Sequence, residues 1–543
     1  MSDVLCGDEQ APLTTGRTLF DFADDLAAQV STSCLRNGYC HECVVAVDEG
    51  SQSLSAPPDA ESFLKPPYRL ACQARIIDDA VDVRFTPLRR TPQILSSSPP
   101  RVVTPDPVVT LDGDRVLYDA EPVDTFRGHV LGLAIDLGTT TIVMDLVDML
   151  SGESLAIAAF ENPQRFGGSD IMNRISYDGG PHHGELQKAV TTAINHHISQ
   201  LSEELGFRRQ EIYEITIAGN STMRDLLFRL DVQPIGTRPY KSTIEEAFRN
   251  GERPTTALLE RSRRLGVRAN IHTRVYGLPL IASHVGADTA ADLVAIDLLD
   301  APQDQVVMLV DVGTNTEVII AGHGRMLAAS SPAGPAFEGG LVLHGMPGYE
   351  GAIESVKIDA DGGFQCGVIG DGDPVGICGS GLVDLLAELR RNELMSERGV
   401  IGDGRKRNQS ILLDKTHNIS FSSQDASHLA QAKAANYCGQ QLLMRQFGVD
   451  ASGIDRLFLA GGFANYIDVD NAMAIGFIAP VAKDRVTKIG NAALQGAREV
   501  LLDRQRRHKL EEIVKTIEHV ELETDPTFFD SFVDGCMFQP MIP

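Results

Sequence analysis

DLGTTT at residues 136–141 and DVGTNT at residues 311–316 spell nearly the same six letters twice in one chain. The first copy follows the apolar run LGLAI (131–135) and precedes IVM (142–144); the second follows VVMLV (306–310) and precedes VII (318–320). A buried strand, a sharp polar turn and a second strand is the simplest reading of each. A turn of Asp, Gly and Thr suits a nucleotide phosphate. Glycine lets the backbone come close, threonine hydroxyls and N–H groups donate to phosphate oxygens, and aspartate holds Mg²⁺ or its water. One such turn is weak evidence, because D-x-G-T arises by chance. Two, each between apolar strands, are strong evidence for such a phosphate site, and the repeat suggests two related lobes. Asp136 and Asp311 are then the candidate catalytic acids, and Gly138, Thr139, Thr140, Thr141, Gly313, Thr314 and Asn315 the candidate phosphate contacts.

The 543 residues predict about three domains, and a hydrophobic content of 43% is enough for real cores. No stretch approaches the ~18 uncharged apolar residues of a membrane helix. The N-terminus, MSDVLCGDEQ, lacks the basic and long apolar regions of a signal peptide, so a soluble cytoplasmic protein is expected. A net charge of −26 argues against nucleic acid as a partner, since phosphates would be repelled.

Five of the nine cysteines lie in the first 72 residues. CLRNGYCHEC (34–43) gives Cys34-x5-Cys40-x2-Cys43, and RLACQARI adds Cys72. Three thiolates on one loop and a fourth from a distant element can surround a small iron–sulfur unit. Asn37-Gly38 supply the unusual dihedrals such a loop needs. Structural zinc is the alternative, but zinc sites usually show two close pairs, whereas here a triplet faces a lone cysteine. Cys366, Cys378, Cys438 and Cys536 form no close ligand set and read as small buried residues; Cys6 is expected just ahead of the first strand.

Residues 1–86 form a small unit. The following TPLRRTPQILSSSPPRVVTPDP, with six prolines between Pro87 and Pro107, reads as an extended linker, taken as 87–127. From 128 to 543 apolar strands alternate with helical patterns, an α/β architecture with lobes over 128–305 and 306–543. A helix over 423–447 is expected to open at Ser422-Ser423 and stop at Gly448.

These stretches resemble known families. The cysteine pattern is similar to β-grasp [2Fe-2S] ferredoxin domains with adrenodoxin-like spacing, and TLFDFADDLAAQV (18–30) looks like the helix ahead of their cluster loop. The two glycine turns resemble the phosphate motifs of the actin, chaperone and sugar-kinase (ASKHA) ATPases. SHVGADTAADLVAIDLL (283–299) and KIGNAALQGA (488–497) look like their two connecting helices. LFLAGGFANY (457–466) resembles the adenosine motif, which implies nucleotide contacts from Gly461, Gly462 and Phe463, and QAKAAN (431–436) places Lys433 where chaperones put an adenosine-contacting lysine.

The pairing of the two modules, together with ENPQRFGGSDIMNRI, ITIAGNSTM, SPAGPAFEGG, GMPGYEGAI and PVGICGSGLVDLLAEL, resembles the reductive activators of corrinoid proteins. That resemblance implies a [2Fe-2S] cluster, ATP and Mg²⁺ as cofactors. It also implies one-electron reduction of Co(II) to Co(I) in a cobalamin-dependent methyltransferase system. A corrinoid protein and an external low-potential electron donor are the implied partners, and a homodimer is compatible with it. Glu338 and Asp170 stand as further candidates near the cleft. Larger members carry an extra small domain after the linker; the roughly 35 residues available here imply that it is absent or vestigial. The alternatives are an activator of a radical acyl-CoA dehydratase and a chaperone-like ATP clamp.

Overall fold

The computed structural model describes residues 2–541 except 8, 27, 29, 31–35, 39–42, 89–100, 102, 169, 403–408 and 463. Its N-terminal unit is a five-stranded mixed sheet of β1 (Asp3–Cys6), β2 (Glu9–Pro12), β3 (Val44–Glu49), β4 (Tyr68–Leu70) and β5 (Val83–Pro87), in the order β2-β1-β5-β3-β4. The helix Leu19–Asp25 starts where Thr18 and Asp21 cap each other reciprocally, and it buries Leu19, Phe20 and Phe22 in one cluster with Val45 and Phe85. Cys6, expected ahead of the first strand, is the last residue of it.

The stretch assigned to the linker is only partly extended. β6 (Val109–Asp112), β7 (Arg115–Tyr118) and β8 (Glu121–Thr125) form an antiparallel meander. Two-residue turns at Gly113-Asp114 and Asp119-Ala120 set its register, with φ of 60° at Gly113 and 50° and 65° at the second pair. Val109 and Val116 are fully buried in a cluster with Val130, Tyr213, Tyr276 and Leu501, which is why this segment folds onto the first lobe. Just before it, Arg101 reaches Glu499 at 2.9 Å, and Asp106 takes Arg504 at 2.9 and 3.1 Å. The chain is therefore stapled to the C-terminal half from Arg101 onward.

The first lobe holds β9 (Leu131–Leu137), β10 (Thr141–Asp148), β11 (Ser154–Glu161), β12 (Ile212–Ala218), β13 (Leu258–Arg261) and β14 (Arg274–Gly277), ordered β11-β10-β9-β12-β14-β13. The second holds β15 (Val307–Val312), β16 (Asn315–Gly322) and β17 (Arg325–Pro332). A small sheet of β18 (Ala352–Ile358), β19 (Phe364–Val368) and β20 (Gly376–Ile377) follows, then the hairpin of β21 (Ser410–Asp414) and β22 (Ile419–Ser422). β23 (Arg456–Ala460), β24 (Val486–Gly490) and β25 (Glu518–His519) complete its main sheet, ordered β24-β23-β15-β16-β17-β25.

The repeat in the sequence is thus a repeat of topology. In each lobe a central strand pairs antiparallel with the next and parallel with a later one, and the sharp turn joins the first two. Asp136 lies beside Ala218 of β12 and Asp311 beside Ala460 of β23, equivalent places at the ends of the two central strands. The helices Ala287–Ala295 and Ala492–Leu502 cross between the lobes. Their close approach requires Gly496, where a Cβ would sit 1.9 Å from the Ala291 carbonyl oxygen. The helix Ser423–Phe447 begins at a Ser422–Asp425 capping box and ends at Gly448 in the left-handed region, as expected.

The N-terminal unit sits on the first lobe. Phe63, almost fully buried, meets Phe166 edge to face at 5.7 Å, and the Tyr177 hydroxyl donates to the Phe63 carbonyl at 2.6 Å. Burying one phenyl ring in this way contributes about 2 kcal/mol. Among the described residues no helix is long and apolar enough to cross a membrane.

Candidate functional site

The two glycine turns face each other across a cleft of about 340 Å³. Asp136, Gly138, Thr139, Thr140, Thr141, Asp311, Gly313, Thr314, Asn315, Gly461 and Gly462 all line it, although they come from three separate segments. Gly461 takes φ of 110° and passes so close to β15 that a Cβ would lie 2.1 Å from the Val312 carbonyl oxygen. The adenosine-like turn is thereby pressed against the second phosphate turn. Phe463 lies outside the described residues.

The first turn is held from behind by side chains in two of the family-like stretches. The Asn162 amide donates to the Gly138 carbonyl at 2.8 Å, Arg174 Nη2 to the Thr139 carbonyl at 2.7 Å, and the Asn220 amide to Thr139 Oγ1 at 3.0 Å. Arg174 is 1% exposed, and burial lowers its pKa to about 9. Glu338 bridges the turns, accepting from Thr140 Oγ1 at 2.6 Å and from Thr314 Oγ1 at 2.7 Å. A carboxylate therefore occupies two of the hydroxyls expected to donate to phosphate. Asp170 is instead the N-cap of the helix Ile171–Asp178, accepting from the Asn173 N–H at 2.9 Å.

The electrostatics suit a cation. Burial pushes Asp136 up to about 7; the Asn491 amide, donating at 2.7 Å, opposes this, and the like charges of Asp288 and Asp311 add to it. Burial and then Asp288 lift Asp311 to about 7 against a hydrogen bond with Asp292. Asp292 and Glu317 are driven well above the usual carboxylate range, chiefly by burial. Among the described residues no lysine or arginine is a cause that offsets the shifts of Asp136 and Asp311. Such a set fits a divalent ion, which would supply the missing positive charge. Among the described residues no three ligands converge on a point. The carboxylates ring a space, as they would around a hydrated Mg²⁺ that arrives with phosphate oxygens.

Lys433 is not in this cleft. It is fully buried, and among the described residues its Nζ has no hydrogen-bond partner; it lies 5.3 Å from the Tyr437 ring and 5.9 Å from that of Phe538. Burial lowers its pKa to about 7. The helix Ser423–Phe447 is buried on most faces, so sequence spacing could not say which face looks at the cleft.

In the N-terminal unit, Cys43 and Cys72 are buried with their sulfurs 3.3 Å apart, and the Gln73 amide lies 3.3 Å from the Cys72 sulfur. Cys34 and Cys40 lie outside the described residues. Two sulfurs brought together from different elements suit shared ligation of a small iron–sulfur unit. Arg36, between Cys34 and Cys40 in the sequence, is pinned by Asp21 at 3.1 Å and Asp24 at 2.5 Å and lies over the Phe20 ring.

Asp288, Asp292, Glu317, Asn220 and Asn491 were missed as individual site residues. Each belongs to or adjoins a stretch that the family resemblance had marked, so the signal was present at the level of segments.

Comparison with known proteins gives the same division. Residues 5–76 match the 2Fe-2S iron-sulfur cluster binding domain, 131–301 the RACo middle region, and 305–541 the C-terminal domain of RACo, the ASKHA domain. The corrinoid activation enzyme RamQ of Eubacterium limosum is 31% identical over 79% of this chain and 74% of its own. The [Co(II) methylated amine-specific corrinoid protein] reductase of Methanosarcina barkeri is 23% identical over 73% of this chain and 75% of its own. A solved structure of a reductive activator for corrinoid, iron-sulfur protein superposes with a TM-score of 0.72 at 26% identity, covering 100% of this chain and 99% of that one. An N-terminal 2Fe-2S domain seated on a two-lobed ASKHA domain, with relatives of this kind along nearly the whole chain, means that the protein belongs to the family of reductive activators of corrinoid proteins.

Proposed function

We propose that this protein uses MgATP to make delivery of one electron to the Co(II) of a corrinoid protein favourable, restoring Co(I) in a cobalamin-dependent methyltransferase system. The observation that carries this reading is the joining of two sites in one chain. The lobe that bears the first phosphate turn also seats the domain that bears the Cys43–Cys72 pair. A [2Fe-2S] cluster held by Cys34, Cys40, Cys43 and Cys72 supplies the one-electron carrier. Asp136 and Asp311, with Asp288 nearby, are the residues that hold Mg²⁺ or its waters. Thr139, Thr140, Thr314 and the glycine backbones receive the phosphates. Gly461 and Gly462 approach the adenosine.

The need for nucleotide is thermodynamic. Ferredoxin-type clusters lie near −400 mV, and each ~59 mV of shortfall lowers a one-electron equilibrium about tenfold. ATP does not push an electron; it favours one arrangement of the lobes, and the free-energy difference between arrangements is what can be applied to the transfer. An external low-potential donor reloads the cluster, and the protein works in the cytoplasm, as a monomer or homodimer.

The test mixes the cluster-loaded protein, a Co(II) corrinoid protein of a methyltransferase system and a low-potential reductant. Co(I) absorbance is expected only with MgATP. Cys72→Ser should abolish the signal while nucleotide still binds. Co(I) formation at equal rate and yield without ATP or Mg²⁺ would defeat the proposal.

A further inference from the structure

Two contacts cross between the lobes from the same segment, the connection from β17 to β18. One is the grip of Glu338 on Thr140 and Thr314. The other lies eleven residues on, where the Tyr349 hydroxyl donates to Glu161 Oε1 at 3.1 Å. Glu161 ends β11, is buried, and takes Arg165 Nη1 on its other oxygen at 2.7 Å. Arg165 in turn lies within electrostatic range of the hydroxyl of Tyr68, in the N-terminal unit. Tyr68 opens β4, and the same short stretch runs from Phe63, the anchor on the first lobe, to Cys72. A continuous polar line therefore leads from the cleft, which Tyr349 itself lines, to the seat of the iron–sulfur domain.

We propose that Tyr349, Glu161, Arg165 and Tyr68 are positioning residues for the reaction: nucleotide entering the cleft breaks the Tyr349–Glu161 contact and loosens the seat of the iron–sulfur domain. This rests on the reading of the cleft as a nucleotide site. The chain of cause is short. Phosphate oxygens need the Thr140 and Thr314 hydroxyls and repel the Glu338 carboxylate, so Glu338 is displaced and its segment moves with it. A hydrogen bond of 3.1 Å does not survive a displacement of about 1 Å. Once Tyr349 leaves, Glu161 has both oxygens for Arg165, the bidentate geometry that arginine and carboxylate favour. That rotation draws the guanidinium off Tyr68. Among the described residues, the Phe63–Phe166 contact and the hydrogen bond from Tyr177 still hold the seat. With Glu338 on the two hydroxyls the electron carrier is held down, and nucleotide frees it to meet the partner.

The test is hydrogen–deuterium exchange of the peptide spanning residues 61–70 in the full-length, cluster-loaded protein. It is read with and without Mg²⁺ and a non-hydrolysable ATP analogue, with nucleotide binding measured calorimetrically on the same sample. Wild type should exchange about tenfold faster in this peptide with the analogue. Tyr68→Phe and Arg165→Gln should exchange fast in both states, with a nucleotide response below twofold and analogue affinity within twofold of wild type. A purely structural role for Arg165 would instead raise exchange while keeping the tenfold response. Binding of the analogue with no change in the wild-type peptide, or a full response in both variants, overturns the proposal. Absence of binding overturns the nucleotide reading, and this proposal with it.

Discussion

Gly496→Ala is the sharpest mechanical test of the two-lobed architecture. The added Cβ would lie 1.9 Å from the Ala291 carbonyl oxygen, 2.5 Å from its carbonyl carbon and 2.8 Å from its Cα. These are backbone atoms of a helix, so no side chain can swing away. Ordinary contact needs about 3.5 Å, and the helices Ala287–Ala295 and Ala492–Leu502 must part by roughly 1.5 Å. Overpacking of this kind costs about 3 kcal/mol, at the upper end of its usual range. At about 2 °C per kcal/mol for a large domain, Tm should fall by about 6 °C. Function should suffer as well, because Asn491 caps the second helix while its amide holds Asp136. Differential scanning calorimetry and analogue titration read both effects. Gly372→Ala, whose added Cβ meets nothing within 4 Å, is the matched control. A Tm within 1 °C of wild type with unchanged nucleotide affinity would show that the helices are not tightly apposed, and the steric argument would fail.

Lys433→Met should leave analogue affinity within twofold and hold or raise Tm at pH 8, because it removes a buried amine that, among the described residues, has no hydrogen-bond partner; a tenfold loss of affinity would restore Lys433 to the nucleotide site. Arg174→Met should weaken analogue binding by about tenfold to a hundredfold, since the Thr139 carbonyl and the phosphate turn lose their support; calorimetric titration checks this, and unchanged affinity would refute it. Burial, then Lys241, lowers His519 to about 4, below its unfolded value near 6.5. The unfolded chain therefore binds the extra proton first, and stability is lost as pH falls from about 6.5 toward 4. His519→Gln should flatten that acid limb in a series of thermal melts, and an unchanged slope would count against the assignment.

The parts legible in the sequence were those written in local chemistry. The Asp-Gly-Thr turns, their flanking strands and the capped helix at 423–447 needed only neighbouring residues to be read. Partners far apart in sequence were not legible. Nothing in the lines around Phe63 and Tyr177 announces that they meet, and the Tyr349–Glu161 contact joins residues that only the folded lobes bring together. The meander at 109–125 was hidden by the prolines before it, although its Asp-Gly-Asp turn was a usable hairpin signal. The burial of Lys433 away from the cleft lining was not legible for a different reason. A helix buried nearly all round carries no amphipathic stripe to point its residues toward one side or the other.

The staple at Arg101 has a consequence for range. Leu88 is buried with the iron–sulfur domain and Arg101 is fastened to Glu499, so thirteen peptide steps separate the two anchors. Even at full stretch, with at most ~3.5 Å per step, those steps reach about 45 Å. Once off its perch the iron–sulfur domain has its tethered end, Leu88, confined to a sphere of that radius centred beside the second interlobe helix. The cobalt of a partner must come within the breadth of that domain of the sphere, which makes the docking face of the corrinoid protein a matter of tether length as much as of surface chemistry.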